Sequence, residues 1–143
     1  MTKYNIVYWD DVHEKQELPA LSLPITMRRC IMAVSGTRDL YPIHYDRDFA
    51  KQANARDIFV NTMFMQALVS RFMTDWTGPK GMVRKLGIKM QEMNCPGDTI
   101  TVTGTITNKY NKEGMHLIDL DIMCHNERGP TTIAWATMSL PRR

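Results

Sequence analysis

The second half of the chain repeats a period-two alternation of apolar and polar residues, and this pattern constrains the fold more than any other feature. Four stretches show it, at residues 83–92, 99–108, 115–125 and 131–140. The segments between them, NCPGD, KYNKEG and NERGP, are rich in residues that form turns. Strands joined by such short turns pair in antiparallel fashion, so we expect the four to form a meander.

One long helix is predicted just before these strands, at residues 62–76. The segment contains no glycine or proline, and Gly78 with Pro79 ends it. Its predicted apolar face consists of Met63, Phe64, Ala67, Leu68, Phe72 and Trp76. Residues 18–26, with two prolines among apolar residues, predict a short edge strand. A sheet of about five strands must cover its apolar face, and this helix is the available cover, which predicts an α+β fold.

Two shorter helices are predicted between the edge strand and the long helix. Thr26 can cap a helix that ends at Ser35 and Gly36, and Asp46 can cap a second helix through Ala53. The loop between the two predicted helices therefore begins directly at the end of the first one.

Composition limits the class of protein. At 143 residues the chain is long enough for one domain over 1–143, and we expect a cytoplasmic protein without a signal peptide or membrane span. The net charge of +3 is small, and the basic residues are scattered except for Arg28-Arg29 and Arg142-Arg143, which argues against nucleic-acid binding. Three widely separated cysteines argue against a disulfide framework or a metal site, so we interpret them as buried thiols.

The loop SGTRDLYPIHYDRD, residues 35–48, carries the candidate chemistry. Asp39 lies five residues before His44, with Pro42 between them. The proline favours an extended or turning loop rather than a helix, which can direct both side chains into one space. A carboxylate and an imidazole that share a water can exchange protons near neutral pH. A solvated surface loop is the alternative interpretation of the same spacing.

The motif DLYPIH resembles the D-x-N-P-[IL]-H signature of the MaoC-like, R-specific enoyl-CoA hydratases. Two further stretches resemble the same family, RDIFVNTMFMQALVSRFMTDWTGP at residues 56–79 and PGDTITVTGTIT at residues 96–107. Within the family, the chain is most similar to the small subunits of hydratases that act on steroid side chains. The resemblance covers about half of the chain.

The resemblance implies a single hotdog fold, in which a curved antiparallel sheet wraps one long helix. It implies hydration of trans-2-enoyl-CoA thioesters, with Asp39 and His44 as the catalytic pair. The helix start at Asn61 and Thr62 would bind the thioester oxygen through backbone N–H groups. The resemblance implies no cofactor, because coenzyme A is part of the substrate. It also implies a homodimer or higher oligomer, or a heteromer with a second hotdog subunit.

Some alternatives stay open at this point. The family usually has asparagine where this chain has Tyr41 and glycine where it has Thr62, and Asn61 with Thr62 could simply cap the helix. Asp75 and Gln66 on the long helix suggest a hotdog acyl-CoA thioesterase instead. A non-catalytic subunit that binds acyl-CoA is the third possibility.

Overall fold

The structure, a computed structural model, describes residues 4–143, and this range contains five strands and three α-helices. The strands are β1 (Leu21–Pro24), β2 (Met82–Met90), β3 (Thr99–Lys112), β4 (Met115–Asn126) and β5 (Gly129–Ser139). The helices are α1 (Met27–Thr37), α2 (Arg47–Gln52) and α3 (Thr62–Thr77). Single turns of 3-10 helix occur at Trp9–Asp11 and Pro42–His44.

The short helices begin at the predicted caps. Thr26 Oγ1 accepts a hydrogen bond from the Arg29 N–H at 3.2 Å, and Asp46 Oδ1 accepts from two N–H groups in the first turn of α2. Helix α1 continues past the stop predicted at Gly36 and ends at Thr37, after which Arg38 adopts a left-handed conformation with φ of 56°. A lone glycine weakens a helix without ending it, which explains the difference.

The five strands form one antiparallel sheet in the order β1-β3-β4-β5-β2. In β3, β4 and β5 the side chains alternate between buried and partly exposed positions along most of each strand. The period-two pattern therefore reports one face turned to the core and one turned outward, as expected for an antiparallel sheet covered on one side.

The predicted four-strand meander is wrong in one respect, because β2 pairs with β5 and not with its sequence neighbour β3. Residues 91–98 cross the end of the sheet instead of turning back. Side-chain and backbone hydrogen bonds hold this crossing segment: Asn94 bonds Thr131 and Asn126, and the Gln91 N–H donates to the Thr131 carbonyl. Residues 15–18 and β1 already occupy the other side of β3, so β2 has no place there.

Helix α3 lies against the inner face of the sheet, as predicted, but its buried stripe differs from the predicted one. The buried residues are Met65, Leu68, Val69, Phe72, Met73 and Thr77. Met63 and Ala67 are exposed, so the buried stripe is rotated about the helix axis relative to the predicted one. Helix and sheet approach each other closely at Gly104 of β3, where a Cβ atom would lie 2.9 Å from Phe72 Cε1.

Candidate active site

The loop that carries the candidate residues begins where α1 ends. The left-handed turn at Arg38 redirects the chain, so Asp39 follows directly from a fixed helix end. Tyr41 is extended, with φ of −70° and ψ of 124°, as expected before a proline. Pro42 then opens the 3-10 turn that contains His44, so the loop is extended at Tyr41 and turns at Pro42–His44. Proline tolerates the first position of such a turn because its missing N–H is not needed there.

The structure brings Asp39 and His44 together. His44 Nε2 lies 3.5 Å from Asp39 Oδ2, with side chains 11% and 25% exposed. On the other side of the ring, His44 Nδ1 lies 2.8 Å from the carbonyl oxygen of Phe59. Since a carbonyl only accepts, Nδ1 carries a hydrogen, and in the neutral ring Nε2 is then the free base that faces Asp39.

Asn61 joins this pair through its side chain. Its Nδ2 donates to Asp39 Oδ2 at 3.0 Å and to Thr37 Oγ1 at 2.8 Å, while its Oδ1 accepts the Phe64 N–H at 2.9 Å. The residue is 2% exposed. Asn61 therefore caps α3, as the alternative interpretation expected, and also holds the Asp39 carboxylate. Both of its amide hydrogens are used, so its side chain has no donor left for a thioester oxygen.

Thr62 occupies the first position of α3 and its side chain is exposed. Neither its backbone N–H nor that of Met63 has a hydrogen-bond partner within residues 4–143. These two groups are the free donors at the positive end of the helix dipole. Because Asn61 contacts Asp39, the helix start lies beside the Asp/His pair.

The other polar residues considered from the sequence lie elsewhere. Asp75 is exposed, pairs with Arg71 one turn earlier on α3, and lies fourteen residues, or about 20 Å, along the helix from Asn61. Gln66 is exposed on the same helix. Of the other histidines, His13 is exposed and His116 contacts the ring of Trp9. None of them joins the pair.

The three cysteines are free and fully buried, as predicted. Burial raises the pKa of the Cys30 thiol to about 11 and that of the Cys124 thiol to about 12, and it also raises the pKa of Cys95. Thiols in this state are neutral and unreactive near neutral pH.

A hollow of about 680 Å³ lies between α1 and the first turn of α3. It is lined by Thr26, Arg28, Arg29, Met32, Ala33 and Phe64. Its lining therefore combines two positively charged side chains with apolar ones. Its Phe64 is the residue whose N–H binds Asn61, so the hollow adjoins the site.

Two participants were not visible in the sequence, namely Thr37 and the carbonyl of Phe59. Thr37 lies 24 residues from the asparagine that it binds, and backbone carbonyls carry no residue signature. The cap signal at Asn61 was readable, but its contact with Asp39 was not.

Two further features are absent from the described residues. Within residues 4–143, no helix combines the length and apolarity needed to cross a bilayer. The same range holds no group of three or more His, Cys, Asp or Glu side chains arranged to hold a metal ion.

The five-stranded antiparallel sheet curls around α3, and the loop before α3 folds against the start of this helix. This arrangement is the hotdog fold. The predicted fold class is thus confirmed. Within this class, the chain is one of the hotdog domains that carry polar residues, here Asp39 and His44, beside the start of the long helix.

Comparison with known proteins identifies the family. The MaoC like domain family matches residues 12–122, which is most of the chain, and the chain therefore belongs to the family of MaoC-like domains. It is 34% identical over 90 residues to the 3-oxo-4,17-pregnadiene-20-carboxyl-CoA hydratase beta subunit of Mycobacterium tuberculosis. That match covers 63% of this chain and 70% of the relative.

Solved structures agree with this family. The ChsH1-ChsH2 complex from Mycobacterium tuberculosis matches with a TM-score of 0.83 and 30% identity, over 90% of this chain and 98% of that one. The R-hydratase PhaJ1 from Pseudomonas aeruginosa matches with a TM-score of 0.86 over 96% of this chain and 88% of that one. At 16% identity, the second match supports the fold alone.

Proposed function

We propose that this protein is an enoyl-CoA hydratase, which adds water across the double bond of trans-2-enoyl-CoA thioesters or removes it in reverse. The observation that carries the proposal is the separation of 3.5 Å between Asp39 Oδ2 and His44 Nε2, beside the start of α3. Membership of the MaoC-like family supports the same reaction type.

The hydrogen-bond pattern supports a specific role for the pair. With Nδ1–H held by Phe59, the neutral His44 ring and the Asp39 carboxylate are both acceptors, and they face each other. A water can satisfy both by donating one hydrogen to each, which leaves its lone pair free to attack the β-carbon. Asp39 then takes a proton as the C–O bond forms, and the same pair supplies the proton that the α-carbon needs.

The reaction also needs stabilisation of the negative charge that develops on the thioester oxygen. Preorganised donors at such a position contribute strongly to catalysis. We assign this role to the free backbone N–H groups at Thr62 and Met63, rather than to the Asn61 side chain, whose donors are taken.

Exposed apolar side chains around the pair support a bulky acyl group. Four of the nine exposed large hydrophobic residues of the described chain lie within two positions of a site residue in sequence, namely Leu40, Tyr41, Tyr45 and Met63. The Tyr41 ring lies 6.3 Å from the His44 ring, which places an apolar side chain next to the pair. The M. tuberculosis relative is named for a steroid-derived CoA thioester, so we propose that steroid-like enoyl-CoA thioesters are among the substrates.

The same relative is a beta subunit, and this favours a second candidate function. In that case the chain binds acyl-CoA within a heteromer and the partner subunit performs the chemistry. We favour the catalytic role because the polar groups needed for proton transfer are together in this chain.

The test is incubation of the purified protein, alone and with any co-purifying hotdog partner, with crotonyl, medium-chain and steroid-like enoyl-CoA thioesters. Loss of the conjugated enoyl absorbance without thiol release is the expected result. Asp39→Asn should slow this loss by about two to four powers of ten, and the matched control Asp75→Asn, at an exposed position of α3, should not. Thiol release that depends on Asp75 would establish the thioesterase instead, and hydration that survives Asp39→Asn in the complex would establish the non-catalytic role.

A further inference from the structure

The side chain of Asn61 is held at three points, and one of them is Thr37. Its Oδ1 accepts the Phe64 N–H, and its Nδ2 donates to Asp39 Oδ2 at 3.0 Å and to Thr37 Oγ1 at 2.8 Å. The amide cannot be turned over without loss, because the Phe64 N–H needs an oxygen and the carboxylate needs a donor. Its orientation is therefore dictated by its neighbours.

Thr37 can serve as the acceptor because its own hydrogen is used elsewhere. Thr37 Oγ1 donates to the carbonyl oxygen of Ala33 at 2.7 Å, one turn earlier in α1. This bond directs the oxygen lone pairs away from Ala33 and towards Asn61. Thr37 is half-buried and Asn61 is 2% exposed, so their hydrogen bond is partly shielded from water.

The contact also connects the two elements that carry the site. Thr37 is the last residue of α1, from which the Asp39 loop departs, and Asn61 caps α3. Without the Thr37 oxygen, one hydrogen of a buried amide has no partner. The amide then turns to find one, and its bond to Asp39 weakens.

We propose that Thr37 is a positioning residue for the hydration, acting through Asn61 to hold the Asp39 carboxylate towards His44. The proposal rests on the proposed function, and it names a residue that the Asp/His motif does not contain. Thr37 touches neither substrate nor water in this role. Its effect is on the geometry of the base and not on substrate binding.

The test compares substitutions at Thr37 that separate its hydroxyl from its size. Thr37→Val keeps the shape of the side chain and removes the hydrogen-bond acceptor. It should lower kcat by about tenfold to a hundredfold with KM little changed, because a slight misplacement of a reacting group has an effect of this size. Thr37→Ser keeps the hydroxyl and should retain most of kcat. Thr37→Ala provides a second variant without the acceptor if the valine variant folds poorly.

Ser35→Ala is the matched control. Ser35 Oγ donates to the Ile31 carbonyl in the same helix, with the same spacing, but it is exposed and does not contact Asn61. Its loss should leave kcat unchanged. An equal fall of kcat in Ser35→Ala and Thr37→Val would mean that only the stability of α1 matters, and would overturn the proposal, as would unchanged kcat in both Thr37→Val and Thr37→Ala.

A readout independent of activity separates this inference from the proposed function. The side-chain amide pair of Asn61, assigned in ¹H–¹⁵N spectra by its disappearance in Asn61→Asp, should exchange slowly with solvent in the wild type and in Thr37→Ser. It should exchange at least roughly tenfold faster in Thr37→Val, because one donor is released. If the wild type hydrates none of the thioesters, the proposed function fails. Equal exchange rates in the wild type and in Thr37→Val would overturn the proposal that Thr37 holds the Asn61 side chain.

Discussion

Asp39 is surrounded by groups that keep it in place rather than by groups that neutralise it. Asn61 donates to one of its oxygens, and no Lys or Arg forms an ion pair with it among the described residues. The hydrogen bond from Asn61 gives the carboxylate a defined direction. The sequence motif predicts the Asp and the His, but the direction comes from the fold.

Replacement of either member of the pair tests this arrangement. Asp39→Asn keeps the shape and removes the base, so it should lower kcat by about two to four powers of ten with little change in KM. His44→Ala should have a comparable effect. If both groups act on one water, as proposed, the double variant should be hardly worse than either single one. Near-wild-type hydration by a folded Asp39→Asn protein, checked by circular dichroism, would remove the site assignment.

The buried thiols predict a dependence of stability on alkaline pH. Burial raises the pKa of Cys124 to about 12 in the folded protein, above the value of about 8.5 expected when the chain is unfolded. The folded state then holds a proton that the unfolded state loses. The stabilisation is complete below about pH 8.5 and is lost as the pH rises towards the folded value, by up to about 1.4 kcal/mol per pH unit for one thiol.

Cys124→Val isolates this contribution, because it keeps an apolar side chain of similar size without the titrating group. Urea unfolding of both proteins between pH 8 and pH 10.5 should show a flatter pH dependence for the variant. Parallel curves for the two proteins would contradict the expectation.

At the scale of elements, the contact between α3 and the sheet depends on a missing side chain. Gly104 faces Phe72, and a Cβ atom there would lie 2.9 Å from the ring. Gly104→Val should therefore displace α3 and cost about 1–3 kcal/mol in the free energy of unfolding, as overpacked cores do.

Gly36→Ala is the control for this substitution. Gly36 lies within α1, and a Cβ atom there would have nothing within 4 Å. Alanine should raise the free energy of unfolding by about 0.5–1 kcal/mol, because it favours the helix. Chemical denaturation measures both changes, and a Gly104→Val protein as stable as the wild type would show that the helix does not pack closely at this point.

The hollow between α1 and α3 is where we expect the phosphates of the proposed enoyl-CoA substrate to bind. Arg28 and Arg29 line it, and guanidinium groups bind phosphates well. Arg28→Ala should raise KM for enoyl-CoA thioesters and leave kcat little changed. Arg84→Ala removes the same charge from β2 at the opposite edge of the sheet, and it should change neither constant. Equal KM values for all three proteins would exclude this position for the phosphates.

Features set by neighbouring residues were predictable from the sequence, and contacts between segments distant in sequence were not. The caps at Thr26 and Asp46 and the extent of α3 follow from neighbouring residues, and the structure agrees with them. The partner of β2 is a strand some forty residues away, and nothing in its alternation distinguishes β3 from β5. The site divides in the same way, since Asp39 and His44 are near in sequence while Thr37 and Asn61 meet only after folding.

For the whole molecule, we predict an oligomer built on a dimer. Strand β2 has a neighbour on one side only within the described chain, and open edges call for pairing or cover. The M. tuberculosis ChsH1-ChsH2 structure is itself a complex, which supports a heteromeric partner as one form of this assembly. Light scattering after size exclusion should give at least twice the chain mass of 16.5 kDa. A monomer across micromolar concentrations, both alone and with the partner subunit, would contradict the prediction.

The placement of β2 next to β5 also has a consequence for how the chain is made. During synthesis, β2 leaves the ribosome about forty residues before the strand that it pairs with, a wait of several seconds at ~5–20 residues per second. Helix α3 is exposed over the same interval, since β3, β4 and β5 all emerge after it. Strand β5 is thus the one that joins β2 to the rest of the sheet, and a ribosome that stalls before β5 releases a chain with an uncovered helix and an unpaired strand. Such a nascent chain is a natural client for chaperones.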